Sequence, residues 1–242
     1  MNIQENQIIG QLVAHDYRTA SVFKKYGIDF CCQGNRTIND ACTKKNIDEN
    51  SVLSDLNTVV QTPAVKTADY QNWSLNVLAD YIEKNHHEYV REKSNDLIPY
   101  LEKICKVHGE RHPELFEIKN EFNESINELN MHMHKEEKIL FPYVRTIAAT
   151  QKDNSKPNLP QFGTVKNPIE MMMREHEIEG DRFRKIESLS SQYTPPADAC
   201  TTYRVTFAML KEFEQDLHLH IHLENNILFP NAIKLENELI SS

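Results

Sequence analysis

Two stretches of this 242-residue chain, HMHKEEKILFP (132–142) and HIHLENNILFP (220–230), share a His-x-His, a Glu four residues after the first His, and an apolar run ending in proline. Imidazole nitrogens and carboxylate oxygens are metal donors, so the first chemistry to consider is cation binding. A helix turns about 100° per residue, which puts i and i+4 on one face and nearly opposes i and i+2. His132 and His134 therefore cannot both face a core. A register starting at His134 and His222 puts Lys138 and Asn226 at i+4. Only His132/Glu136 and His220/Glu224 supply a carboxylate in both copies, and His134 and His222 are expected to face away.

The apolar pattern agrees. Ile118, Phe122, Leu129, His132, Glu136, Leu140 and Tyr143 follow one stripe, and Phe213, Leu217, His220, Glu224 and Leu228 another. His218 and His222 fall with Lys211, Gln215, Asn225 and Asn226 on what reads as a polar side. A bare buried carboxylate costs several kcal/mol or more, and a metal ion offsets that cost. Buried His–Glu hydrogen bonds are the plainer explanation of one such motif; two matching copies on core stripes weigh against it.

If each copy is half of a site, each needs a partner on the preceding helix. His176 lies 44 residues before His220, on the stripe Ile169, Met173, His176, Gly180, Phe183; His87 lies 45 before His132. His86 competes with His87, since Leu78, Ile82 and His86 also form a stripe; spacing favours His87 without excluding its neighbour. Four imidazoles and two carboxylates are too many for one tetrahedral zinc and suit two metals bridged by the two Glu, with iron favoured over manganese or zinc. The two repeated copies are not the ferritin-like Glu-x-x-His pattern with extra Glu ligands, and HExxH is absent.

The elements that must position these residues are helices. Apolar residues recur three and four apart, only six glycines are present, and breaker-rich stretches at 61–69, 108–113, 152–168 and 193–199 divide the chain. Long segments are expected at 70–107, 113–150, 168–192 and 197–237. The fold expected is all-α: an up-down-up-down four-helix bundle over 70–242, preceded by a linker (61–69) and a small helical domain (1–60). In that domain Gly27 is placed to cap the helix of DYRTASVFKKYG, and TIND reads as a capping box with Thr37 as N-cap. Ile139–Phe141 and Ile227–Phe229 should pack a bundle end, with Pro142 and Pro230 kinking or ending their helices.

The formal charge of −9, with 27 basic against 36 acidic residues, argues against nucleic-acid binding. No apolar run approaches the roughly 20 residues that span a bilayer, and the start lacks a signal-peptide pattern. A cytoplasmic protein that binds no membrane is expected. Five irregularly spaced cysteines fit free thiols. Cys31 and Cys32 are adjacent; their Cα atoms, about 3.8 Å apart, are too close for an ordinary disulfide. At a helix N-terminus a thiol pKa would fall, and such thiolates could accept iron, bind nitric oxide or exchange electrons. Cys42, Cys105 and Cys200 read as structural.

Residues 70–237 resemble the haemerythrin-like HHE domain, whose mark is a lone His followed by HxxxE, twice over. DYRTASVFKKYGIDFCCQG (16–34) resembles the domain that precedes HHE in the repair-of-iron-centres family of ScdA/YtfE type. The resemblance implies two non-haem iron ions, oxo-bridged, with Glu136 and Glu224 bridging and His87, His132, His176 and His220 as terminal ligands, which selects His87 over His86. It implies repair of iron–sulfur proteins damaged by nitrosative or oxidative stress, by iron donation and with processing of nitric oxide at the centre. An oxygen or nitric oxide sensor or carrier of haemerythrin type is the alternative, against which stands the lack of a fifth inward His. Cys31 and Cys32 would serve as thiols. Glu128 and Glu175, acids near the metal helices, are candidates to brace a ligand or line an iron path, Glu128 one turn before His132. A homodimer is left open.

Overall fold

The computed structural model describes residues 3–62, 69–153 and 160–241. Within these, regular structure is helical apart from one isolated antiparallel bridge, Ile8 to Thr37. The small domain holds α1 (Ile9–His15), α2 (Thr19–Lys25), α3 (Ile38–Lys45) and α4 (Glu49–Gln61). Gly27, at φ 62°, ends α2 as expected: its own N–H reaches the Lys24 carbonyl and that of Ile28 reaches Phe23. Thr37 Oγ1 accepts from Asp40 N at 3.1 Å and starts α3. Most of the expected linker, residues 63–68, lies outside the described residues, as do 154–159 of the expected 152–168 loop.

Four long rods follow. The first joins α5 (Leu75–Tyr81) to α6 (Glu88–His108) through a π turn, Ile82–His87. The second joins α7 (Glu114–Lys135) to α8 (Phe141–Asp153) through Glu136–Leu140, the third is α9 (Lys166–Leu189), and the fourth joins α10 (Thr201–Leu223) to α11 (Phe229–Ser241) through Glu224–Leu228. Helix α6 packs on α7, α7 on α9 and α10 on α6, and Phe183 of α9 stacks on Phe213 of α10 at 5.7 Å.

Pro142 and Pro230 do not end their helices. Proline removes one N–H bond and clashes with the carbonyl four residues back. Each sits just past a π turn, where i→i+5 bonding has already displaced that register, so the ring is accommodated and helix resumes. At the π turns consecutive polar residues lie inside: His86 with His87, and Glu224 with Asn225, are buried pairs.

The core is divided. One apolar cluster runs from Leu12, Phe23 and Val52 of the small domain into Val90, Phe122, Leu129, Phe183 and Phe213 of the bundle. The other, at the far end, contains Leu78, Ile82, Leu140, Phe141, Ile169, Leu228 and Phe229. Of the tetrad residues expected there, Ile139 is instead exposed.

The small domain docks on the bundle, and it covers the side of α10 that reads as polar. Phe30 meets His218 and His222 edge-on at 6.1 Å, and Tyr17 lies 5.6 Å from His222. His222 does face away from the centre, but it is buried rather than solvated, and burial pushes its pKa down to about 3. His134 is exposed. Asn226 Nδ2 donates to the Phe30 carbonyl at 3.3 Å, and Lys24 pairs with buried Glu214 at 2.7 Å. Close approach here needs glycine: a Cβ on Gly10 would stand 2.1 Å from Asn226 Oδ1 and 3.1 Å from the Gly34 carbonyl. Gly10→Ala should therefore loosen the docked loop at a cost of about 1–3 kcal/mol. Faster amide exchange over residues 28–34 is the expected reading; exchange there equal to wild type would reject it.

Candidate metal centre

The six residues singled out by spacing meet between the two apolar clusters, and all six are buried. They form two overlapping sets, His87, Glu136, His220, Glu224 and His132, Glu136, His176, Glu224, each with ligand atoms within 4.8 Å of one another. Glu136 Oε2 lies 3.4 Å from His87 Nε2 and 3.3 Å from His132 Nε2. Glu224 Oε1 lies 3.1 Å from His220 Nε2, and Oε2 lies 3.1 Å from His176 Nε2. The two carboxylates are thus common to both sets, and each set adds its own pair of imidazoles.

Three of the four rings are aimed by an oxygen on the far nitrogen, which fixes ring orientation and leaves Nε2 toward the centre. His87 Nδ1 donates to Glu137 Oε1 at 2.9 Å, His132 Nδ1 to Glu175 Oε2 at 2.8 Å, and His176 Nδ1 to Asn225 Oδ1 at 2.9 Å. Arg91 in turn holds Glu137 at 2.7 Å. Phe141 stacks on His87 and Phe229 on His176, at 5.8 and 6.0 Å. The ILFP phenylalanines therefore wall the centre as well as filling core.

His86 is also inward. Its Nδ1 faces Asp216 at 3.0 Å and its ring stacks on His220 at 5.5 Å. The π turn buries both His86 and His87 and brings only His87 into the six-residue cluster.

The donor set fits a cation. Both oxygens of Glu136, Oε2 of Glu224 and Nε2 of His87 are buried without a hydrogen-bond partner among the described residues, a costly condition for carboxylates. Nε2 of His132 and Nε2 of His176 face each other at 3.0 Å, an approach that needs a proton or a cation between the lone pairs. Burial disfavours charge on His132, but Glu136 and then Glu175 outweigh it and raise its pKa to about 10; His87 is raised in the same way by Glu136. The hydrogen bond from His132 brings Glu175 down to about 2.

Two family profiles match: a domain of unknown function, ScdA_N, over residues 5–60, and the "Hemerythrin HHE cation binding domain" over residues 79–232. The iron-sulfur cluster repair protein ScdA of Staphylococcus haemolyticus is 31% identical over 94% of this chain and 98% of its own length. The iron-sulfur cluster repair protein YtfE of Yersinia pestis is 33% identical over 96% and 98%. The chain belongs to the ScdA/YtfE family of haemerythrin-like proteins.

Residues of the ScdA_N domain reach the HHE centre. Cys32 Sγ lies 3.2 Å from the His176 carbonyl, and Asn225, which orients His176, donates to the Cys31 carbonyl at 3.3 Å. The cysteines occupy a turn rather than a helix N-terminus. The condition for a lowered thiol pKa is therefore not met, and at Cys31 the hydrogen bond with Cys32, burial and the charge of Asp29 raise it.

A cavity of about 780 Å³ between α7 and α9 opens onto His132 and His176 and is lined also by Glu128, Glu175 and Glu179. Glu128 pairs with Arg182 at 3.3 Å, so the second ring nitrogen of His132 goes to Glu175 and Glu128 stands on the cavity wall. No helix among the described residues is long and apolar enough to cross a membrane.

Glu137, Asn225 and Asp216 escape the sequence pattern because each lies beside a stripe rather than on it.

Ligation at His132 and His87 requires loss of their protons. With a pKa of about 10 at His132, that proton is present throughout the neutral range and competes with the cation. Affinity for ferrous iron should rise with pH across that range, about tenfold per unit for each proton released, in anaerobic competition against a chelator. A flat profile would reject the proton count.

Proposed function

We propose that this chain repairs iron–sulfur clusters damaged by nitrosative or oxidative stress, through an oxo-bridged di-iron centre whose iron is available for donation. The ligands assigned are His87 and His220 to one iron, His132 and His176 to the other, and Glu136 and Glu224 to both. The observation that carries the reading is the pair of buried donor sets sharing two carboxylates, opened to solvent by a cavity at His132 and His176. The repair names of the full-length relatives support the same direction.

When bound, the irons supply redox-active coordination positions at which nitric oxide or oxygen could bind. The chain's own part is geometric and electrostatic. Glu137, Glu175 and Asn225 hold three rings by Nδ1, keeping each Nε2 as a donor. The apolar clusters on either side exclude water from the buried face. On the cavity side Glu128, Glu175 and Glu179 offer hard oxygen donors beside His132 and His176, as an iron ion leaving the centre needs. The irons delivered are cargo, and the damaged iron–sulfur proteins are the partners.

Metal analysis should find two irons per chain. Protein loaded with isotopically labelled iron should reactivate an iron–sulfur enzyme inactivated by nitric oxide, with label entering the restored cluster. Glu136→Gln, which removes one bridging charge, should cut that reactivation at least tenfold. Label that stays on the chain while the enzyme recovers would overturn donation.

A further inference from the structure

A second set of metal donors lies outside the bundle centre. Cys31, Cys32 and Asp29 bring ligand atoms within 4.8 Å of one another, on the turn that follows α2. Successive side chains along an extended strand diverge; here the turn gathers both sulfurs on one side. Asp29 Oδ1 makes the turn, accepting from the N–H groups of Cys31 at 3.0 Å and Cys32 at 2.9 Å. The two Sγ atoms end 3.8 Å apart. Two thiolates bound to one tetrahedral cation at about 2.3 Å each lie about 3.8 Å apart. The pair is thus too far apart for a disulfide bond and spaced as a chelate.

The proton arrangement fits as well. Cys31 Sγ–H donates to Asp29 Oδ1 at 3.4 Å and Cys32 Sγ–H to the His176 carbonyl at 3.2 Å, so two oxygens already face the sulfurs. Arg184 pairs with Asp29 Oδ2 at 2.9 Å and cancels its charge. Replacing the two thiol protons by one divalent cation keeps the site neutral, both protons leaving to solvent. The bundle makes room: a Cβ on Gly180 would stand 3.0 Å from Cys32 Sγ, close enough to push the thiol a few tenths of an ångström away from α9.

We propose that Cys31, Cys32 and Asp29 form a second metal site, for a thiophilic divalent cation of the ferrous iron or zinc class. Two sulfurs and one carboxylate exclude magnesium and calcium by softness. The site takes its ion whether or not the bundle centre donates iron, since the two share no donor.

The test is anaerobic titration of the iron-loaded, reduced full chain with Co(II). The bundle centre contains no sulfur donor, so a sulfur-to-cobalt charge-transfer band reports this site alone. One equivalent of Co(II) per chain should saturate the band. Cys31→Ser and Cys32→Ser should each abolish it, Asp29→Asn should weaken affinity tenfold or more, and Cys200→Ser should leave it intact. No band at saturating Co(II), or a band surviving in the Cys31→Ser/Cys32→Ser double variant, overturns the site. A measurement on unaltered protein guards against misfolded variants: bound Cd(II) should protect Cys32 from alkylation and leave exposed Cys200 reactive. Equal reactivity of Cys32 with and without Cd(II) also overturns it.

Discussion

The constraint on which the rest of the structure depends is the burial of two carboxylates, Glu136 and Glu224, at zero exposure in the middle of a helix bundle. Uncompensated, each would cost several kcal/mol, and their mutual repulsion adds to it. Four imidazoles surround them, yet hydrogen bonding still leaves oxygens of both without partners. A layer of this composition cannot be absorbed into an apolar core, so the core is split around it into two clusters. The layer is a binding site that the fold holds together rather than a source of stability for the fold.

Holding it requires departures from regular helix. Three of the four rods carry a π turn at the depth of the centre: Glu136 and Glu224 each open one, and His87 closes the third. The extra residue in each turn shifts the phase of everything after it. That is how Glu137, next in chain to Glu136, can reach across to His87, and how Asn225, next to Glu224, can reach His176. It is also why the prolines of both ILFP runs stand in continuing helix.

This explains which parts were legible in the sequence. His132, Glu136, His220 and Glu224 obey a spacing of four, and the apolar stripes on either side obey the same period, so the bundle and these four residues could be read from periodicity and repetition; the matching spacing added His176, and it left His87 in competition with His86 until the family resemblance chose it. Periodicity assumes a constant 100° per residue, and it fails where the helix is not constant. His86 and His87 look like exclusive alternatives under that assumption and are both inside. Asn225 and His222 fall on a side that reads as polar; one is buried against the centre, the other beneath Phe30 and Tyr17. The latter error has a different cause. A polar-looking face with His and Asn can be an interface, and nothing local to α10 says that the small domain lies on it.

The docked domain makes the centre and the cysteines one assembly. His176 is touched twice from the same turn: its carbonyl by Cys32 Sγ, and its Nδ1 through Asn225, whose amide nitrogen holds the Cys31 carbonyl. An Asn with its oxygen on one group and its nitrogen on another has little freedom to turn, so a shift of the Cys31 backbone must either break a hydrogen bond or move the ring of His176. His176 also lines the cavity at the centre, whereas His87 and His220 do not. The donor set that contains His132 and His176 is therefore both the one open to solvent and the one mechanically tied to the thiols. Any difference between the two donor sets in their hold on a cation should follow from this, because they are otherwise matched in composition.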